Sequence, residues 1–139
     1  MGYQKVLVTV AVAADSQVLV QKAVSIVRPY NGQITLLSMV ANPELYNSFA
    51  GPMLGDLRNL MEEETRLFLE QLRQQAGYPI ADLLVVQGEL GDGLIYANQQ
   101  RSFDLVICGN HSGQLMNKLS CSAARFIDTS QTDVLIVPL

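Results

Sequence analysis

The side chains best suited to chemistry gather in the last third of the chain, where Gly109-Asn110-His111-Ser112-Gly113 runs on to Ser120-Cys121-Ser122-Ala123. His111 is the single histidine, and with Ser112 beside it a hydrolase is the first reaction to consider. Adjacency does not make a triad. A serine nucleophile needs a base within hydrogen-bond reach and an acid to orient that base, and the G-x-S-x-G elbow is absent. His111 therefore reads as a loop histidine that hydrogen-bonds backbone near a strand end. Cys108 and Cys121 form no C-x-x-C pair, and one histidine leaves a structural zinc site short of ligands. Both read as reduced, buried thiols. Glu62-Glu63-Glu64 reads as a solvated helical face rather than a carboxylate pair. No acid, base, nucleophile or metal set converges, so neither an enzyme nor a cofactor is expected.

The elements that must position these residues alternate in a regular way. Short β-branched runs at Lys5 to Val12, Gln33 to Val40, Asp82 to Gln87, Asp104 to Gly109 and Val134 to Val137 are separated by longer segments of helical period. That alternation is the signature of a parallel sheet covered on both faces, an α/β fold. Val20, Ala23, Val24 and Val27 recur at helical spacing, with Asp15 and Ser16 offering N-cap oxygens and Pro29 as the stop. The longest helix is predicted from Leu54 or Gly55 to Ala76. Leu57, Leu60, Met61, Phe68 and Leu72 form its apolar stripe, Glu62 and Arg66 sit at i, i+4 on its solvated face, and Gly77 and Pro79 end it. A third helix is predicted from Gly91 or Asp92 and a fourth over Lys118 to Asp128. The apolar segment Asn42 to Gly55, with Leu45, Tyr46, Phe49 and Met53, reads as a lid over the sheet or a contact surface. With no linker or internal repeat, residues 1–139 read as one domain.

In such a sheet, ligands bind beyond the carboxyl ends of the strands, where helix N-termini present unpaired N–H groups. The places to search are Ala11 to Ser16, Val40 to Pro43, Gly88 to Gly93 and Gly109 to Ser122. Gly88, Gly91 and Gly93 do not fit the dinucleotide fingerprint and read as a tight turn into the third helix. Composition narrows the partners. The chain of 139 residues carries a net charge of -4, and its nine lysines and arginines are scattered, so neither nucleic acid nor an anionic membrane is expected. No apolar run approaches the roughly 20 residues that span a bilayer. Lys5 with Val6 to Ala14 has the outline of a short secretory leader, but its β-branched pattern reads as the first strand, and a cytoplasmic chain is expected.

With Val8-Thr9-Val10-Ala11-Val12 at its start, Phe103-Asp104-Leu105-Val106-Ile107-Cys108-Gly109-Asn110-His111 and the Ser120-Cys121-Ser122-Ala123 tetrad later, and Asp133-Val134-Leu135-Ile136-Val137-Pro138-Leu139 at its end, the chain resembles the universal stress protein A family over its whole length. The resemblance implies a Rossmann-like open sheet of five parallel strands in the order 3-2-1-4-5 with helices on both faces. The nucleotide-binding branch of that family carries G-x-x-G, nine further residues and then G-[ST] after the fourth strand, with an Asp at the end of the first. Here Gly109 matches, Ser112 stands at the second glycine with Gly113 one place late, Ser122 stands at the third, Ala123 replaces the hydroxyl residue and Ala11 replaces the acid. Side chains at positions where bare backbone meets phosphate are steric blocks. The resemblance therefore points to the branch that does not bind ATP, with Gly109, Ser112, Gly113 and Ser122 left as a degenerate nucleotide loop.

The order 3-2-1-4-5 also places Val134 to Val137 at a sheet edge, and an apolar, β-branched edge offers unpaired N–H and C=O groups to another copy. Family members of this type are similar in dimerising through that strand, so Val134, Leu135, Ile136 and Val137 are the expected homodimer interface, with heterodimers between paralogues by the same pairing. The function that the resemblance implies is a cytoplasmic stress-response regulator or scaffold. Such a protein acts by binding a regulatory protein partner and supports survival of DNA damage, osmotic stress or growth arrest. The alternative from another class is an ATP-dependent switch or weak ATPase using the loop after strand four.

Overall fold

The computed structural model describes residues 2–40, 54–87, 97, 102–110 and 132–139. Five strands, β1 (Lys5–Val10), β2 (Gln33–Val40), β3 (Asp82–Gln87), β4 (Leu105–Asn110) and β5 (Asp133–Pro138), form one sheet in the order β3-β2-β1-β4-β5. All four pairings are parallel. Both the α/β class and the strand order expected above are therefore present. β1 lies at the centre, and every residue of it after Lys5 is buried. That is why its sequence reads as a continuous apolar run rather than an alternation.

Two helices, α1 (Ser16–Val27) and α2 (Leu54–Gln75), cover one face of the sheet. Val6, Val8, Val10, Ile34, Leu36, Leu105, Ile107 and Val137 meet Leu19, Val20, Ala23, Val24 and Val27 of α1, Leu69 and Leu72 of α2, and Ala76 just past its end. On the opposite face Leu7, Leu37, Val106 and Cys108 pack with Phe103 and with Ala97, a helical residue. The two faces follow from period-2 alternation along each strand. The third helix expected from Gly91 or Asp92, apart from Ala97, the fourth expected over Lys118 to Asp128, and residues 42–53 of the segment Asn42 to Gly55 read as a lid or contact surface lie outside the described residues.

β4 begins and ends one residue later than expected and β5 extends one residue further at each end, and three other expectations shift. β1 ends at Val10 rather than Val12, because the Ala13 N–H and the Ser16 hydroxyl both donate to the Ala11 carbonyl and turn the chain out of the ladder. Asp15 stands at the N-cap of α1 but makes no side-chain cap hydrogen bond, since its backbone is already helical at φ -76° and ψ -7°. The stripe of α2 holds at Leu57 and Met61, both half-buried, and departs from its predicted position at Leu60. Leu72 is buried and Phe68 half-buried as expected, Leu69 and Thr65 join the inner face, and Leu60 is 55% exposed. Gly77 ends this segment with φ +67°, the left-handed conformation expected of it.

Contacts at the amino ends of the strands lock the layers together. The Tyr78 hydroxyl donates to the Gly32 carbonyl, Arg28 donates to the Gly77 carbonyl at 3.2 Å, and the Arg28 guanidinium lies over the Tyr78 ring at 5.8 Å. Asp104 fixes the entry to β4 by accepting from the N–H groups of Gln4 and Lys5 at 2.9 Å each. These contacts lie opposite the carboxyl ends, which are left as the site-bearing edge.

Candidate functional site at the carboxyl ends of β1 and β4

Strand order reverses between β1 and β4, so their carboxyl ends form the crevice where an open α/β sheet takes a ligand. On the β1 side the chain leaves the sheet through Ala11 and Val12, both exposed, and enters α1 at Ser16. The first turn of a helix normally offers free N–H groups to an anion. Here the Ser16 N–H is taken by the Ala13 carbonyl at 3.2 Å and the Val18 N–H by the Asp15 carbonyl at 3.1 Å. Two of the N–H groups of this first turn are thus already engaged, and Val12 and Val18, 59% and 51% exposed, give this rim an apolar character.

On the β4 side the critical residue is Gly109, paired in register with Val137. A Cβ on Gly109 would stand 2.5 Å from Leu139 Cδ1 and 3.1 Å from Leu19 Cδ1. The bare backbone here therefore meets leucine side chains on the α1 side. Leu139 reaches this position because residues 135, 137 and 139 share a face, and Leu135, Val137 and Leu139 all contribute to the α1-side core. That alternation was readable in the sequence; its meeting with Gly109 needed the register of β5 on β4.

The other side of the same two strand ends is closed. Thr9 and Cys108 are 7% and 1% exposed, and the Thr9 hydroxyl donates to the Ile107 carbonyl at 3.3 Å. Burial pushes the Cys108 thiol above its ordinary range, and its hydrogen bond with Thr9 opposes that only in part. A thiol held protonated and enclosed is not a nucleophile. Farther along β2, Ser38 is 1% exposed and its hydroxyl has no hydrogen-bond partner among the described residues. Sequence reading missed it because a serine inside an apolar strand gives no periodicity signal.

Among the site residues expected from sequence, Gly109 is placed at the switch point as described. Ser112, Gly113 and Ser122 lie outside the described residues, as do His111, Cys121 and Ala123. Among the described residues no three of His, Cys, Asp and Glu come together as a metal site, and no helix is long and apolar enough to cross a membrane. The expected interface strand β5 is paired on one side, by β4. Val137 is 6% exposed and packs in the α1-side core with Leu135 beside it, Val134 packs on the opposite cluster, and Ile136 is 43% exposed.

Comparison with known proteins agrees with the topology. The sequence pattern of the Universal stress protein family matches residues 2–138. Universal stress protein C of Escherichia coli O6:H1 is 50% identical over 139 residues, spanning all of this chain and 98% of that one. Universal stress protein A of Salmonella typhimurium is 41% identical over 140 residues, spanning all of this chain and 96% of that one. In three dimensions the chain is similar to universal stress protein UspA from Lactobacillus plantarum, with a TM-score of 0.79 at 18% identity over 99% of each chain. It is also similar to a universal stress protein solved in complex with cAMP, with a TM-score of 0.65 at 23% identity, covering 99% of this chain and 98% of that one. A sequence match over residues 2–138 and relatives of about half-identical sequence over the whole chain leave one assignment: the chain belongs to the universal stress protein family.

Proposed function

We propose that this stress-response protein works in the cytoplasm as a homodimeric regulator or scaffold that binds other proteins, and neither turns over a substrate nor switches on ATP. The observation that carries the reading is the seating of Leu139 and Leu19 against Gly109, the one position of the nucleotide-loop pattern that the sequence retains. Engagement of two α1 N–H groups by local carbonyls and the presence of Ala11 in place of an acid support it. The relative solved with cAMP shows that a chain of this fold can hold a nucleotide. This chain meets that possibility with side chains at Ser112 and Ser122, where the nucleotide-binding pattern has glycine.

Dimerisation through β5 belongs to the same reading, because a strand paired on one side leaves backbone donors and acceptors open to an antiparallel copy. Paralogues with similar final strands pair by the same main-chain bonds. Survival of DNA damage, osmotic stress or growth arrest is the physiological setting proposed. The test is to denature the freshly purified protein and analyse the released small molecules chromatographically. Nucleotide well below one equivalent in ten chains is expected, and stoichiometric adenine nucleotide would favour the ATP-dependent switch instead.

A further inference from the structure

Two large apolar side chains of α2 take no part in the core. At 100° per residue, the buried residues Thr65, Leu69, Leu72 and Ala76 centre on one direction, and Leu60 and Leu67 point about 150° and 170° away from it. The two leucines are 55% and 58% exposed, two turns apart and about 20° from one another around the axis. Between them along the helix lie Glu63 and Glu64, both exposed. Beyond Leu67, Glu70 is held by Arg73 at 2.5 Å, and Arg66 stands about 100° round the helix from the leucines. The outward face is thus a leucine pair with acidic residues between its members.

We infer that this face of α2 is a docking surface for a basic amphipathic helix of another protein, whose apolar residues seat on Leu60 and Leu67 while its lysines or arginines meet Glu63 and Glu64. Charge decides against a second copy as the occupant. An antiparallel two-fold pairing that sets Leu60 on Leu67 places Glu63 opposite Glu64 in both halves, acid against acid. A helix with basic residues flanking apolar ones at i and i+7 satisfies both the apolar area and the charge. The surface rests on the reading of the chain as a protein-binding regulator and gives that reading a partner chemistry.

The direct test uses a synthetic 18-residue helix with leucines at i, i+3 and i+7 flanked by lysines, titrated by fluorescence anisotropy against the full chain. Saturable binding is expected. It should weaken about tenfold in Leu60→Ser/Leu67→Ser and severalfold in Glu63→Gln/Glu64→Gln, with thermal melting unchanged because all four side chains are exposed. A scrambled peptide of equal charge binding equally well, or insensitivity to the leucine substitutions, would overturn the inference. A photoreactive benzoylphenylalanine at position 67 should cross-link, in cells, to basic helical segments of another protein. Adducts with the chain's own α2, or none above those of a label at Gln75, would refute it. The same label at Ile136 separates the two readings: capture of other proteins there but not at position 67 refutes the α2 surface alone, and the regulator reading stands.

Discussion

Ser38 is a polar atom in the wrong place for stability. Its hydroxyl is buried on β2 with no hydrogen-bond partner among the described residues, and an unmet buried hydroxyl costs on the order of 1 kcal/mol or more. Ser38→Ala is expected to stabilise the fold by about 1 kcal/mol, which for a chain of this length raises Tm by roughly 3 °C in calorimetry. A fall in Tm would show that the hydroxyl has a structural use. The Gly109 contact gives a second prediction. Gly109→Ala forces Leu139 Cδ1 aside, so a loss of about 1 kcal/mol is expected. Placed in Leu139→Ala, the same change should have under half that effect, and additivity of the two in urea titrations would mean that the side chains do not meet. Neither position announced its environment in the sequence. In the sequence Gly109 reads as part of a degenerate nucleotide loop; in the fold its missing Cβ makes room for leucine.

At the scale of elements, most boundaries were legible and the faces less so. β2 and β3 run over the residues expected, because β-branched runs bounded by turn residues specify a strand. α1 buries Val20, Ala23, Val24 and Val27 as their spacing predicts. The stripe of α2 misleads only at Leu60, which is apolar without being inward, and hydrophobicity alone does not separate a core residue from a docking residue. β5 carries the element-scale predictions. Ile136, its exposed apolar residue, becomes charged in Ile136→Lys, which should convert a dimer to a monomer in light scattering while leaving the melting of the monomer nearly unchanged. A mass unaltered by the substitution would place the interface elsewhere. The same strand is tied to the chain start by the Tyr3 hydroxyl, which donates to the Asp133 carboxylate at 2.8 Å. That bond, with lesser help from desolvation and the Asp133 charge, raises the phenol above its ordinary value of 10.0. A raised pKa in the folded state means that the contribution is whole below about pH 10 and is lost as pH rises through the shifted value. Stability measured between about pH 8 and pH 11 should therefore decline less steeply in Tyr3→Phe than in the parent chain. Parallel curves would show that the bond does not persist in solution.

Taken whole, the molecule separates a rigid end from a working end. The amino ends of the strands are knitted by Tyr78, Arg28 and Asp104, while the carboxyl ends, the edge at which open α/β sheets take ligands, are met by Ala11, Val12 and Leu139. Alternation of strands and helices made the α/β class readable, and the resemblance supplied the strand order, since parallel pairing order depends on crossovers that no local pattern encodes. What remained illegible was the filling of the switch point, which depends on Leu19 of α1, Gly109 of β4 and Leu139 just after β5 converging. The measurement that bears most directly on the central claim is isothermal titration of the purified chain with ATP and Mg²⁺. The account predicts no saturable heat up to millimolar nucleotide, and a stoichiometric isotherm with micromolar Kd would contradict it.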